Sequence, residues 1–140
     1  MTQKQLCDEY VMYFDGGSRG NPGNGGCGAV IYKNNIEYLS VAKNQGFCTN
    51  NFAEYNGLVC GIKLASDAGI ANITVYGDSL LVINQVNGIW KCKALTLKPI
   101  LIDIVKTIKL FNRITLHHVP RKQNKRADEL ANQAMDNPHK

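Results

Sequence analysis

Residues 15–28, DGGSRGNPGNGGCG, set seven glycines and a proline among fourteen positions. The preceding segment EYVMYF turns to period-2 alternation in its latter half, and the stretch leads into the apolar run GCGAVIYK. A strand over residues 9–15 therefore ends on a carboxylate, Asp15, and passes into a flexible turn. Residues 26–33 and 36–44 read as two further strands, joined in a hairpin across Asn34 and Asn35.

The rest of the chain alternates helix and strand. Residues 50–69 carry Ala53, Gly57, Cys60 and Leu64 on one helical face, with Leu58, Ile62 and Ala65 beside it. Asn51 and Glu54 resemble a capping box, and Gly69 closes the far end. Residues 72–78 predict a fourth strand and 79–88 a short helix ended by Gly88. Leu97, Leu101, Ile104, Ile108 and Phe111 repeat at helical spacing. Residues 113–119 predict the fifth strand, and 124–135 a last helix capped by Asn124. The order βββαβααβα makes an α/β fold: a five-stranded mixed sheet, three antiparallel then two parallel strands, flanked by helices.

With 140 residues, the chain predicts a single domain, residues 1–140. No apolar run approaches the roughly 18 residues of a membrane span, and the first residues lack the organisation of a signal peptide. Five cysteines without a C-x-x-C pair lack zinc spacing and argue against a disulfide framework. Reduced thiols and a cytoplasmic location follow as the expectation. The formal net charge is +5, and RKQNKR at 121–126 packs four cations into six residues. Such a run is either a solvated face or a polyanion-binding surface.

The acids give that charge a context. Asp15 ends the first strand, Glu54 lies in the first turn of the long helix, Asp78 ends the fourth strand, and Asp128 begins the last helix. In a sheet of this kind the carboxyl ends of the parallel strands and the adjoining helix starts meet at one edge. Each acid alone has an ordinary reading, as a turn residue or a partner of a helix dipole. Four together repel unless cations neutralise them. Carboxylate oxygens suit hard divalent ions, Mg²⁺ or Mn²⁺, and two such ions about 3.5–4 Å apart serve phosphoryl displacement.

YFDGGSRGNPGNGGCGAVI, TNNFAEYNGL, YGDS and NKRADELAN together resemble the motifs of type 1 ribonuclease H, in order and over essentially the whole chain. The resemblance implies an endonuclease that hydrolyses the RNA strand of RNA–DNA hybrids with two Mg²⁺ ions, Mn²⁺ substituting, to leave 5′-phosphate and 3′-hydroxyl ends. It implies that Asp15 is shared by both metals and that Glu54 holds one of them and contacts a 2′-hydroxyl. Asp78 would hold the other, with Asp128 a looser ligand. Ser18 and Asn21 would line the minor groove, where 2′-hydroxyls mark RNA. Asn50 and Asn51 would read the same groove, and Thr49 would hold a phosphate of the DNA strand. All three also suit the start of a helix as caps. Lys122, Lys125 and Arg126 are the expected phosphate contacts.

The chain departs from the family in places. The loop before the last acid, PRKQN, has no histidine. Arg121 takes the place nearest the metals, able to stabilise phosphate charge but not to act as a base. His117 and His118 fall in the fifth strand. Phe47 stands where some members have a phosphate-binding arginine, and Ala94 where an asparagine is expected. NGIWKCKALT is too short for the basic protrusion, so Trp90, Lys91 and Lys93 form at most a reduced platform or, for Trp90, core. No hybrid-binding domain is expected before Tyr10. This pattern resembles a minimal subgroup, some of whose members also cleave double-stranded RNA, which makes that duplex a candidate substrate. A monomer with no membrane partner is expected. The rivals are a catalytically weak hybrid-binding module and a related 3′–5′ exonuclease. The exonuclease needs a second acid where Gly17 stands.

Overall fold

The structure is a computed structural model and describes residues 7–137. Residues 1–6, part of the segment read as lacking a signal peptide, lie outside the described residues. The elements are β1 (Tyr10–Arg19), β2 (Gly23–Lys33), β3 (Ile36–Cys48), α1 (Asn50–Asp67), β4 (Asn72–Gly77), α2 (Leu80–Val86), α3 (Lys98–Ile108), β5 (Arg113–His118) and α4 (Lys125–Asp136). The sheet order is β3-β2-β1-β4-β5. β1–β2 and β2–β3 pair antiparallel, while β1–β4 and β4–β5 pair parallel. This is the mixed sheet and the element order expected. Among the described residues no helix is long and apolar enough to cross a membrane.

The expected strand limits change. Asp15 does not end its strand: β1 and β2 stay paired through the glycine-rich stretch, as far as Arg19 opposite Asn24. Only the tip, Gly20 to Pro22, is a turn. What ends near Asp15 is the pairing with β4, whose last partners are Phe14 and Gly77. β1 thus outruns its parallel neighbour, and Asp15 stands at the mouth where the two strands part.

The glycines of this ribbon make room for helices. A Cβ on Gly16 would lie 2.2 Å from the Ala53 carbonyl oxygen of α1, and one on Gly57 2.4 Å from the Asp15 carbonyl oxygen. On the other face of β2, a Cβ on Gly28 would lie 2.5 Å from the Leu130 Cβ of α4. Side chains alternate along a strand. Thus Cys27 and Ala29 face α1 while Gly26 and Gly28 face α4. The main core lies on the α1 side, around Met12, Phe14, Ile31, Tyr55, Leu58 and Val75.

The helix ends refine the sequence reading. Thr49, not Asn51, caps α1: its hydroxyl accepts from Phe52 N at 3.2 Å. Glu54 therefore lies in the second turn, too far along to form the capping box. Gly69 and Gly88 adopt φ of +74° and +79° beyond α1 and α2. There the amides of Ile70 and Ile89 return to the carbonyls of Ala65 and Asn84, the glycine-centred helix end expected at both sites. Asn124 occupies the cap position of α4 without bonding it through its side chain. It is buried and donates instead to the Phe14 carbonyl oxygen at 2.9 Å, fixing the start of α4 against β1.

Candidate active site

Asp15, Glu54, Asp78 and Asp128 line one cavity of about 290 Å³, at the end of the sheet where β1 and β4 diverge. Four separate elements supply them. β1 brings Asp15, α1 lays Glu54 across the ribbon through the Gly57 contact, and Asp78 follows the last residue of β4. The Asn124 anchor sets Asp128 in the first turn of α4. Arg121, Asn50 and Asn132 complete the polar wall.

Electrostatics mark the cavity as a place short of positive charge. Asp15 is 7 % exposed. Burial, then the charge of Asp78, a hydrogen bond with Asp128 and the charge of Glu54 push its carboxyl up to about 8, against the Gly16 amide, which lowers it. Burial likewise raises Glu54 to about 7, and Asp78 adds to the rise. The Ser79 hydroxyl and the Arg121 guanidinium pull the other way. Glu54 Oε2 is buried with no hydrogen-bond partner among the described residues. Arg121 reaches Asp128 at 3.7 Å but is 81 % exposed, so it neutralises little of the inner pair.

As they stand, no three acids among the described residues are drawn together tightly enough to hold an ion. The donor chemistry nevertheless fits one. An orphaned carboxylate oxygen and two acids raised by burial and mutual charge are groups that a hard cation would satisfy.

The expected substrate contacts fall into two groups. Ser18, Asn21 and Asn50 form one network at the tip of the β1–β2 ribbon. Asn50 Oδ1 accepts from the Ser18 amide at 2.8 Å and its hydroxyl at 3.0 Å, while Asn21 Oδ1 accepts from the Asn50 amide at 3.1 Å. Thr49 and Asn51 flank it, both exposed, beside an exposed Phe47. Lys122, Lys125 and Arg126 do not line the carboxylate cavity; they face a neighbouring groove. Arg126 is held by Glu37, Nε to Oε1 at 2.9 Å and NH2 to Oε2 at 3.2 Å, and by Glu129. His117 and His118 sit in β5, as read. His117 lies beside the Tyr76 ring at 5.7 Å, and neither histidine lines the cavity. Trp90 is exposed on the loop after α2. Ala94 also lies on that loop.

Asn132 escapes the sequence reading, and Asn124 enters it only as a helix cap. Asn132 lies one helical turn after Asp128, a spacing that marks it as a neighbour on the same face. It donates to the Asp128 carbonyl oxygen at 2.9 Å. Nothing in the sequence separates Asn124, as a buried anchor, from an ordinary cap.

Comparison with known proteins gives a consistent picture. A family model described as reverse transcriptase-like matches residues 13–134. A bifunctional protein of Mycobacterium tuberculosis is 41 % identical over 90 % of this chain, which spans only 35 % of that protein's length. A protein named ribonuclease H from Sulfurovum is 31 % identical, with 92 % of each chain covered. The crystal structure of LC11-RNase H1 in complex with RNA/DNA hybrid superposes with a TM-score of 0.88 at 33 % identity, covering 94 % of this chain and 100 % of that one.

Proposed function

The chain belongs to the ribonuclease H family, and on that premise we propose that it is an endoribonuclease hydrolysing the RNA strand of RNA–DNA hybrids. The observation that carries the reading is the convergence of four carboxylates, from four elements, on one cavity with a buried oxygen left unpartnered. The similarity to a protein solved with RNA/DNA hybrid supports the substrate class.

Asp15, Glu54, Asp78 and Asp128 would hold Mg²⁺, with Mn²⁺ as substitute. When bound, two such ions supply Lewis acidity to both the attacking and the leaving oxygen of an in-line displacement. The protein's own share is to deliver charge and position. Asp15 is the most enclosed of the four and spans the others. Asp128, one-third exposed and anchored on a helix start, is the most easily displaced. Arg121, poised over Asp128, stabilises the negative charge that develops on the phosphate. Ser18, Asn21, Thr49, Asn50 and Asn51 present hydroxyls and amides where the two strands of a hybrid would lie, and 2′-hydroxyls are the chemical feature that distinguishes RNA there. Cleavage of the P–O3′ bond leaves 5′-phosphate and 3′-hydroxyl ends. The basic residues support nucleic acid as the partner, and a monomer acting in the cytoplasm is part of the same proposal.

The test is a cleavage assay on matched RNA–DNA, RNA–RNA and DNA–DNA duplexes in Mg²⁺ and in Mn²⁺. Cleavage of the hybrid alone, or of hybrid and double-stranded RNA, is expected, with Asp15→Asn inactive on both. Cutting of DNA–DNA, or near-normal turnover of Asp15→Asn in Mg²⁺, would refute the reading.

A further inference from the structure

The face of the sheet that carries Asp15 also carries a line of aromatic rings. Tyr32 of β2, Tyr13 of β1, Tyr76 of β4 and His117 of β5 follow one another across four strands. Tyr13 meets Tyr32 edge-on at 5.9 Å, stacks on Tyr76 at 5.3 Å, and Tyr76 meets His117 at 5.7 Å. The register makes the line continuous, since Tyr13 pairs with Tyr76 and Tyr76 with His117. α4 covers the glycine end of this face, leaving the tyrosines half-buried and His117 exposed in the remainder. Tyr13, Tyr32 and Tyr76 floor a groove of about 610 Å³ walled by Lys122, Gln123, Lys125 and Arg126, and His117 extends the line of rings beyond its lining.

Position and charge identify its occupant. Tyr13 stands two residues before Asp15 on β1, so its side chain shares a face with that carboxylate, and Tyr76 lies two residues before Asp78, which directly follows β4. The segment Arg121–Gln123 separates groove from cavity: Arg121 lines the cavity, while Lys122 and Gln123 line the groove. Among the described residues neither Lys122 nor Lys125 makes an ion pair. The wall therefore keeps cations for phosphate even though Glu37 and Glu129 occupy Arg126. Aromatic rings beneath lysines suit unpaired nucleotides, because every base has a face to stack and every residue of the strand a phosphate. A duplex cannot offer its base faces.

We propose that this groove binds an unpaired extension of the RNA strand, continuing the strand that passes the carboxylates. The proposal rests on the hybrid reading above, and the tests separate the two. In wild type with EDTA, titration with an eight-nucleotide oligouridylate should shift the backbone amide resonances of Tyr13, Tyr32, Tyr76 and His117. Shifts confined to Asn50, Asn51 and the carboxylates, or no shifts, would overturn it. Tyr76→Leu should weaken binding of that oligonucleotide roughly 5- to 100-fold, the loss expected for one stacked base. Tyr76→Phe should retain it. In cleavage, an unpaired extension on the RNA strand should lower KM relative to a blunt hybrid, an advantage lost in Tyr76→Leu while kcat on the blunt hybrid is kept. If the blunt hybrid is not cut by wild type, the functional reading fails. If it is cut and the RNA extension confers no advantage, the groove assignment fails. Concentration-dependent dimerisation abolished by Tyr76→Leu would give the face to a second copy instead.

Discussion

Removing the charge of Asp15 should stabilise the metal-free chain while ending catalysis. Its carboxyl is raised in the folded state, to about 8 from an ordinary value near 3.8. The folded state therefore favours the protonated acid. Stability is fully present below the unfolded value and is lost as pH rises through the folded one. Asp15→Asn should then raise Tm by several degrees at pH 9, equivalent to at least about 1 kcal/mol. The difference should vanish near pH 4. Thermal unfolding by circular dichroism across this range, in EDTA, decides it. Mg²⁺ at about 100 times its Kd should stabilise wild type by roughly 2.7 kcal/mol, with most of that lost in Asp15→Asn. Arg121→Ala should lower single-turnover rates roughly 10- to 1000-fold, the range for one electrostatic stabiliser, with Arg121→Lys recovering part. All four acids were legible as residues, because Asp78 follows an apolar strand, Asp128 lies in the first turn of a helix, and Asp15 and Glu54 stand where the apolar part of β1 ends and near the start of α1. The burial that raises Asp15 and Glu54 was not, since it depends on how closely α1 and α4 approach.

That approach is a property of elements. Gly57 lets α1 lie against the Asp15 carbonyl, so Gly57→Ala should push the helix off the strand that it serves. A loss of about 1–3 kcal/mol is expected from such overpacking, with reduced turnover because Glu54 and Asp15 flank the contact. Gly17→Ala is the control. Its Cβ would meet nothing closer than 3.7 Å, and its stability should stay within about 0.5 kcal/mol of wild type. Urea midpoints of the two variants make the comparison. Element identity and order were readable from periodicity and from the glycines that end α1 and α2. Boundaries in the glycine-rich ribbon were not, for glycine there signals a turn by composition. Its actual role is to admit helices to both faces of paired strands. Tyr55, fully buried and joined through its hydroxyl to Gln85 of α2, was hidden for a related reason. A polar tip inside a core needs its partner located in space.

At the scale of the whole molecule, the net charge of +5 divides into cations already spent and cations open to a polyanion. The run at 121–126 reads in sequence as one basic patch, yet folding splits it. Arg121 faces the carboxylates, Lys122 and Lys125 face the tyrosine groove, and Arg126 is clasped by Glu37 and Glu129. That division could not be read from spacing, because the partner Glu37 lies 89 positions away. Neutralising a cation that meets phosphate should reduce the slope of log K against log salt by about one unit. Lys122→Gln and Lys125→Gln should each do so on an RNA–DNA hybrid carrying an unpaired RNA extension. Arg126→Gln should leave the slope nearly unchanged and instead cost stability, because Glu37 would lose a two-pronged partner. Fluorescence anisotropy over a salt series in EDTA, set beside thermal unfolding of the same variants, separates the two effects. Should Arg126→Gln flatten the slope as much as the lysine variants do, the carboxylates must release it on binding, and all three cations would count as one phosphate-binding surface.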